Sequence, residues 1–410
     1  MLSTHRTLVG LSSLSMGHIL IVSSNVYHCH IAFIYFLEGS NVCLQKTSSR
    51  FLSIVSVGIS PYNPPMNRWL NTIEHELNRV LPESSDQKWI EWVLDSSAPP
   101  TDTTTIDRFS EPARDLIRRG GKRWRPLFMM LTAKMLGGER ALALAERLVS
   151  LVELPHNGSL IVDDIEDNSD WRRGGPAMHI LYGEDFSINA GNFLYFLPTK
   201  AIDEAAVDDK VKLLIYQIYA KYMRRIHLGQ GMDICWHHHR TFPPVQEYEL
   251  MCRLKTGCLP AMGCEIGAVL ALDDPQVIRR AGHIAETIGV GFQILDDVIN
   301  LEKGNPGKMQ GDDIIENKKS LPIIIYVEEN PDQVEYVMGV FQEARKAGYD
   351  GSTTLIKELL GKIQASGSLA KARKRAFTLF EEALQEIHTL YAPSAERDML
   401  VSMVNSFFSA

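Results

Sequence analysis

Apolar residues from Met66 onward recur mainly at intervals of three and four, which is the spacing that gives an α-helix one apolar face. In "ALALAERLVSLVEL", for example, Leu144, Leu148 and Val152 fall on one stripe. Gly- and Pro-rich stretches such as "SSAPPTD" and "KGNPGK" separate the periodic segments and indicate turns or helix ends. The sequence shows no alternation of strands with helices and no GxGxxG or GxxxxGK[ST] motif, so dinucleotide-binding and P-loop folds are not supported. We therefore predict an all-α domain over residues 66–410.

One segment within this domain runs against the helical pattern. The stretch "LPIIIYV", from Leu321 to Val327, is rich in β-branched residues and resembles a strand by propensity. We interpret it as a buried helix, because the segments around it are helical. Pro155 lies inside another predicted helix, where it removes a backbone hydrogen bond and is expected to cause a kink.

Residues 1–65 differ from the rest of the chain and are not predicted to join its core. Glu38 is their only acidic residue, and Arg6, Lys46 and Arg50 are their only Lys or Arg residues. The run "HILIVSSNVYHCHIAFIYFL" approaches the length of a membrane span, but its Ser, Asn and His residues make it a poor one. Three interpretations of residues 1–65 are therefore kept: a disordered segment, a transit segment for an organelle such as the mitochondrion, and an upstream artefact of the gene model.

Charge and cysteine content restrict the possible partners and compartment. The 410-residue chain has a formal net charge of −8 and offers no basic stripe, which argues against nucleic-acid binding. Its six cysteines form no CxxC pair and no dense disulfide framework, as is typical of a reducing compartment. We expect a cytoplasmic protein, with an organelle as the alternative if residues 1–65 are a genuine transit segment.

The segment "SLIVDDIEDNSDWRRGGP" concentrates acidic residues just before two adjacent arginines. In a helix, Asp163 and Asp167 lie on one face, and His156 lies two turns earlier on the same side. Like charges this close repel each other unless a cation lies between them. Because Mg²⁺ is commonly bound by one or two carboxylates together with substrate phosphates, we predict a Mg²⁺ site here.

A second acidic segment, "GVGFQILDDVIN", has the same character. Its residues Gln293, Asp296 and Asn300 are spaced so that a helix places them along one stripe. Acidic faces on separate helices can converge across a bundle and hold several metal ions. The two motifs together predict metal ions that bridge a diphosphate, with Arg172 and Arg173 donating to its oxygens.

Several motifs occur in the order found in the trans-prenyltransferases, the isoprenyl diphosphate synthases. These motifs are "GGKRWRP", "DDIEDNSDWRRGGP", "GQGMDICW", "LKTG" and "FQILDDVIN…GKMQGDDIIENKKS", and the resemblance covers roughly residues 110–325. "HNGSLIVDDIEDNS" with DDxxN is similar to the animal and fungal geranylgeranyl diphosphate synthases, whereas "GNPGKMQGDDIIENKKSLP" is more similar to microbial relatives.

The resemblance implies a helix bundle of the isoprenoid-synthase type around a central active-site cavity, and a homodimer. It implies condensation of isopentenyl diphosphate with dimethylallyl, geranyl or farnesyl diphosphate to give geranylgeranyl diphosphate. Farnesyl or longer polyprenyl products, a terpene synthase derived from this family, and a non-catalytic partner subunit are the alternatives.

The resemblance also implies roles for individual residues. Asp163 and Asp167 would bind two Mg²⁺ ions and Asp296 a third, supported by Asp164, Asp297 and Asn300. The remaining residues of the allylic site would be Arg172, Lys255, Thr256, Gln293, Asn300, Lys308 and Lys318. Isopentenyl diphosphate would contact Lys122, Arg125, His156 and Arg173. The carbonyl group of Thr256 and the amide group of Gln293 would stabilise the allylic cation.

Two further expectations concern product length and the histidine run. Small residues at Gly158 and Ser159, one turn before the first acidic motif, would leave the tail unblocked, so the limit would lie deeper, at Phe193, Tyr195 or Phe196. In "WHHHR", consecutive residues cannot share one helical face, so His237, His238 and His239 are interpreted as a solvated helix end.

Overall fold

The computed structural model describes residues 7–8, 19–26, 29–38, 41–42, 64–239, 241–304, 309–351 and 353–408. The chain divides into two units, Met1–Asn67 and Arg68–Ala410. In the first unit, four strands form an antiparallel sheet in sequence order: β1 (Thr7–Leu8), β2 (Ile19–Val26), β3 (Cys29–Glu38) and β4 (Asn41–Val42). In the longest pairing, Ile19 lies opposite Phe36 and Val26 opposite Cys29.

The second unit is a bundle of helices, as the periodicity predicts. Its first five helices are α1 (Pro64–Val80), which begins in the first unit, α2 (Gln87–Leu94), α3 (Thr103–Arg118), α4 (Trp124–Glu146) and α5 (Ser150–Glu166). A short hairpin of β5 (Trp171–Arg172) and β6 (Gly175–Pro176) follows α5 directly. The hairpin therefore places both adjacent arginines close to the end of the helix that carries the first acidic motif.

The remaining helices complete the bundle. The next seven are α6 (Met178–Tyr182), α7 (Glu184–Phe196), α8 (Lys200–Asp203), α9 (Asp209–His238), α10 (Val245–Lys255), α11 (Cys258–Val269) and α12 (Pro275–Glu302). The last six are α13 (Asp312–Ile315), α14 (Leu321–Glu329), α15 (Val334–Gly351), α16 (Thr353–Ala365), α17 (Ser368–Leu390) and α18 (Ala395–Phe407). Residues 197–199 and 331–333 form 3₁₀ turns.

The core centres on α11 and α12, whose side chains are largely buried. Helix α12 packs against α11 and α17, and α11 packs against α4. Small residues allow these close approaches: a Cβ atom at Gly267 would lie 2.5 Å from the carbonyl oxygen of Met129, and one at Gly289 would lie 2.6 Å from the Cα atom of Gly257. Because α12 carries the second acidic motif, this tight packing fixes the helix that positions it.

The two segments that depart from the simple helical pattern, "LPIIIYV" and the segment around Pro155, are both helical. The "LPIIIYV" segment forms α14, with Ser320 as its N-cap and Pro322 in its first turn, where a missing N–H costs little. Residues Leu321, Ile323 and Ile324 are fully buried, which explains the uninterrupted apolar run. Helix α5 continues through Pro155 as one helix from Ser150 to Glu166.

None of the described helices is both long and apolar enough to span a membrane. The candidate run in residues 18–37 falls largely on β2 and β3. The interpretations of residues 1–65 as a targeting or artefactual segment otherwise concern residues outside the described part of the chain.

Candidate active site

A cavity of about 690 Å³ opens between α4, α5, α9, α10 and α12. Most of the predicted site residues line it: Lys122, Arg125, His156, Ser159, Asp163, Arg172, Arg173, Lys255, Thr256, Gln293, Asp296 and Lys318. Segments far apart in the sequence therefore converge on one space, as the motif order implied.

Asp163 is a cavity carboxylate that side chains from three other segments contact. Its Oδ1 atom lies 3.1 Å from Lys255 Nζ and accepts a hydrogen bond of 2.9 Å from Gln230 Nε2, while Arg172 Nη2 lies 3.4 Å from Oδ2. Burial opposes ionisation of Asp163, but Lys255, Lys318 and Arg172 outweigh it and lower the pKa of this carboxyl. Asp163 is therefore anionic and already surrounded by cationic groups.

Asp164 and Asp167 lie behind the cavity surface. Asp164 is fully buried and accepts a hydrogen bond of 2.8 Å from Arg172 Nε, so it orients the arginine toward the cavity. Lys318 Nζ lies 3.1 Å from Asp167 Oδ2. Burial raises the pKa of Asp167, against the effect of Lys318. The two carboxyl groups thus differ: Asp164 holds an arginine, and Asp167 is buried beside a lysine.

Helix α12 presents Gln293 and Asp296 to the cavity. Asp297 also lines the cavity but is buried: Gln293 Nε2 donates to it at 3.0 Å, Tyr248 Oη donates to it, and the backbone N–H of Leu321 donates at 3.1 Å. Burial raises the pKa of Asp297 to about 6 despite these hydrogen bonds. Asp297 therefore fastens α12 to α10 and α14 at the cavity wall.

Asn300 does not line the cavity, so its predicted contact with substrate is not what this structure shows. Its side chain is only 1% exposed, and its Oδ1 atom lies 3.5 Å from the backbone N atom of Asp313. The backbone N–H of Gly311 donates to the carbonyl oxygen of Asn300 at 3.0 Å. The turn at residues 311–313 thus covers the position that helical spacing alone placed on the open stripe.

Lys255 and Thr256 end α10 at the cavity wall. Lys255 Nζ also donates to Asp233 Oδ2 at 2.7 Å, and burial is outweighed by Asp163 and Asp233, which raise its pKa. Thr256 Oγ1 donates to Gln293 Oε1 at 2.7 Å. The "GQGMD" motif therefore supports the site, with Gln230 on Asp163 and Asp233 on Lys255.

A second group of cationic residues lies across the cavity. Arg125 Nη1 lies 3.3 Å from His156 Nε2, and Lys122 Nζ lies 5.7 Å from the ring centre of Phe292. Burial lowers the pKa of Arg125 and of Arg173 to about 10, and burial together with the neighbouring arginines lowers the pKa of His156. Positive charge that is costly to bury favours an anionic ligand at this place.

Arg173 is held in this group by buried polar neighbours. Its Nη1 atom donates to Asn157 Oδ1 at 2.8 Å and to the carbonyl oxygen of Leu116 at 3.0 Å. Asn157 is fully buried and in turn donates to the carbonyl oxygen of Glu153 at 2.7 Å. The guanidinium group is therefore fixed before any ligand binds.

The adjacent lysines of "ENKKS" point into different surroundings. Lys318 contacts Asp167 and, at 2.7 Å, Glu316. The ammonium group of Lys319 lies 4.9 Å from the ring centre of Phe242 and 4.4 Å from that of Phe341, and donates to Asn317 Oδ1 at 3.1 Å. Burial lowers the pKa of Lys319 to about 7. The predicted Lys308 lies outside the described residues.

The two positions predicted to control product length differ in location. Ser159 lines the cavity, whereas Gly158 lies against α7, where a Cβ atom would lie 2.5 Å from the carbonyl oxygen of Gly191. Gly158 is not part of the cavity lining, and its lack of a side chain serves a helix contact. Among the deeper candidates, Tyr195 lines the cavity, Phe196 is 71% exposed, and Phe193 packs on Phe109.

The histidine run is only partly solvated. His238 and His239 are exposed, but His237 is buried, so the solvated interpretation is wrong for that residue. His237 follows Asp233 by one helical turn and therefore shares its face. That spacing could have identified it. Glu166, which accepts a hydrogen bond of 2.7 Å from Gln230 and lines the cavity, was likewise missed although it follows Asp163 by three residues.

The carboxylates fit a hard divalent cation. Neither oxygen of Asp167 accepts a hydrogen bond from the described residues, although the group is buried. The described part of the chain brings no three Asp, Glu, His or Cys side chains together as a self-contained metal site. Mg²⁺ usually takes one or two protein carboxylates and completes its octahedron with water and phosphate oxygens. The donor set is thus suited to Mg²⁺ bound together with a diphosphate.

Comparison with known proteins agrees with this geometry. The polyprenyl synthetase family matches residues 106–358, and this chain belongs to that family. Geranylfarnesyl diphosphate synthase from Aeropyrum pernix is 32% identical over 73% of this chain and 93% of its own length. Geranylgeranyl pyrophosphate synthase from Eremothecium gossypii is 29% identical over 73% of this chain and 92% of its own length. The crystal structure of geranylgeranyl pyrophosphate synthetase from Pyrococcus horikoshii has a TM-score of 0.70 at 24% identity, covering 84% of this chain and 99% of that one. The chain is therefore a prenyltransferase that elongates trans-prenyl chains.

Lys319 yields a prediction about stability and pH. Because its pKa in the folded state, about 7, lies below its usual 10.5, the unfolded chain binds more protons between these values, and stability rises with pH. Lys319→Met removes the buried charge, so we expect an increase of about 1–4 kcal/mol in the free energy of unfolding near pH 7, which shrinks toward about pH 10. Urea unfolding at both pH values measures the difference.

The matched control is Lys346→Met, whose side chain is 72% exposed and for which a change of less than about 0.5 kcal/mol is expected. A Lys319→Met variant that is less stable than the parent near pH 7 would show that the aromatic and Asn317 contacts outweigh the cost of burial.

Proposed function

We propose that this protein condenses isopentenyl diphosphate with allylic diphosphates, in a Mg²⁺-dependent reaction, to form geranylgeranyl diphosphate. One observation carries the proposal: a single cavity presents two separate sites for anions. One combines Asp163 and Asp296 with Lys255, and the other combines Lys122, Arg125, His156 and Arg173 with the carboxylate of Glu153, which is already paired with Arg123 at 2.7 Å. Two diphosphates, one bound with metal and one without, match this division.

The acidic side of the cavity would hold the allylic diphosphate. Asp163, Asp167 and Asp296 would hold Mg²⁺, which supplies positive charge to the leaving diphosphate. Lys255 and Arg172, both within 3.4 Å of Asp163, can turn their donors to phosphate oxygens when that carboxylate binds metal. Departure of diphosphate is the difficult part of the reaction, and preorganised charge at this place lowers its barrier.

The cavity wall beside this site is suited to a carbocation. Thr256 and Gln293 are joined by a hydrogen bond of 2.7 Å, so the amide group of Gln293 has a fixed direction. Oxygen dipoles stabilise an allylic cation without forming a bond to it, whereas a stronger nucleophile would capture it. The two residues thus protect the intermediate until the double bond of isopentenyl diphosphate attacks.

The cationic side would hold isopentenyl diphosphate through Lys122, Arg125, His156 and Arg173. Arg173 is fixed by Asn157 and Leu116, so little entropy is lost when it binds phosphate oxygens. A terpene synthase that only cyclises a prenyl diphosphate has no use for this second site. Its presence favours elongation over that alternative.

The central test is turnover with radiolabelled isopentenyl diphosphate, each allylic primer in turn, and Mg²⁺. Asp163→Asn keeps the shape of the side chain but removes a metal ligand and its charge, so we expect kcat/KM to fall about 10³-fold or more. Asp170→Asn, an exposed carboxylate of the same segment, is the control and should behave as the parent. Similar turnover by both variants would refute the metal assignment, and absence of labelled product from the parent protein would refute the reaction.

The side chains of the cavity wall determine the length of the prenyl chain in the product. The two related enzymes named above differ in their products, so the family alone does not fix it. Ser159 is small and lines the cavity, and Tyr195, whose ring centre lies 5.2 Å from that of His227, is the deeper bulky residue. We propose that Tyr195 limits the tail.

A phenyl ring at Ser159 would fill cavity space near the acidic mouth, so Ser159→Phe should shorten the main product by at least one isoprene unit. Tyr195→Ala removes the deeper obstruction and should lengthen it. Mass spectrometry of the products after phosphatase treatment measures both. Unchanged products from both variants would show that the tail follows another path.

We also propose a homodimer. Large apolar side chains on α7 and α9 are exposed, including Phe196 at 71% and Leu228 at 61%. The two helices are neighbours, because Tyr219 Oη donates to the carbonyl oxygen of Tyr195 at 2.6 Å. Exposed apolar patches of this kind mark interfaces.

A charge at this surface should separate the protomers. We expect Phe196→Asp or Leu228→Asp to shift the mass measured by light scattering from that of a dimer to that of a monomer. Leu94→Asp, at an apolar residue of α2 that is 55% exposed, should leave the mass unchanged. A monomeric parent protein would contradict the proposal.

A further inference from the structure

His237 differs from its two histidine neighbours in its surroundings. It lies at the end of α9 with 6% of its surface exposed, whereas His238 and His239 are exposed. It does not line the cavity, so it is not placed to contact a substrate directly. A buried imidazole needs partners for its ring nitrogens, and the identity of these partners indicates its role.

Each ring nitrogen of His237 faces a carboxylate that belongs to the acidic site. The Nε2 atom lies 3.3 Å from Asp233 Oδ1, and the Nδ1 atom lies 3.6 Å from Asp167 Oδ1. Asp233 holds Lys255 at 2.7 Å, and Asp167 lies 3.1 Å from Lys318. The imidazole ring therefore separates two carboxylates, each of which is paired on its other side with a cavity lysine.

The backbone of His237 makes a second connection. The side-chain amide of Asn317 donates a hydrogen bond to the carbonyl oxygen of His237. Asn317 has a φ angle of 64°, a conformation that Asn adopts more readily than most residues, and it immediately precedes Lys318. The end of α9 thus fixes both the side chain beside Asp167 and the turn that carries the lysine facing it.

We infer that His237 is a positioning residue of the acidic site, which holds Asp167 and Lys318 in the arrangement that receives a divalent cation and a diphosphate. The inference rests on the proposed function of that site. Groups behind metal ligands orient them, and their loss typically weakens metal affinity or activity by 10- to 100-fold. The isopentenyl diphosphate site shares none of these contacts and should be little affected.

The test compares His237→Ala with His238→Ala, a control at the adjacent exposed histidine. We expect the Mg²⁺ concentration for half-maximal turnover to rise about tenfold or more in His237→Ala, with KM for isopentenyl diphosphate changed by less than about twofold. His238→Ala should match the parent. His237→Asn, which retains an amide nitrogen near the Nδ1 position, should recover part of the loss.

A second readout does not depend on turnover. Addition of Mg²⁺ and inorganic diphosphate should raise the Tm of the parent protein and of His238→Ala, and raise that of His237→Ala much less. If His237→Ala fails to fold, His237→Asn and His237→Gln take its place in both measurements. An unchanged Mg²⁺ requirement, or equal increases in KM for both substrates, would overturn the inference. A parent protein that binds Mg²⁺ and diphosphate but makes no product would instead refute the proposed function.

Discussion

The balance of charge around Asp163 is the constraint on which the rest of the active site depends. A buried carboxylate is unfavourable unless cations and hydrogen-bond donors compensate it, and here the compensation comes from Lys255, Gln230 and Arg172 on three different segments. Each of the two cations is fixed in turn by a further acid: Asp233 holds Lys255 and Asp164 holds Arg172. Removal of one charged side chain from this network leaves a side chain of opposite charge buried and uncompensated. The bundle therefore brings α5, α9 and α10 together through alternating charges as well as through apolar contact.

This network also explains how the protein can receive a highly charged ligand. Without a ligand, the cationic side chains lie on carboxylates. In the proposed reaction a divalent cation would compete for the carboxylates and a diphosphate for the cations, so the same groups would exchange partners and remain paired. The exchange would avoid leaving a buried charge without a partner. The site around Arg125 has several cations beside one carboxylate, that of Glu153, which is already paired with Arg123 at 2.7 Å, and burial there lowers the pKa of Arg125 despite Glu153.

Much of the architecture could be predicted from the sequence, because helical periodicity and the spacing of acids are local properties. The helices and the cavity-facing positions of Asp163 and Asp296 followed from intervals of three and four. The predictions differed from the structure where tertiary contacts determine the surroundings of a residue. Asn300 has the correct helical spacing, but the turn at residues 311–313 covers it. Gly158 has the correct position one turn before the motif, but a neighbouring helix occupies the space beside it. His237 belongs to a run that cannot share one face, yet one member of such a run can still point inward.

The surroundings of Lys319 have a consequence for chemical reactivity. Burial lowers the pKa of Lys319 to about 7, so more of its amine is unprotonated near neutral pH than in an ordinary surface lysine. The unprotonated amine is the nucleophile. Lys319 borders the cavity with only 2% of its surface exposed. Acylation of this one side chain would place a neutral amide between Phe242 and Phe341, next to the lysine that faces Asp167.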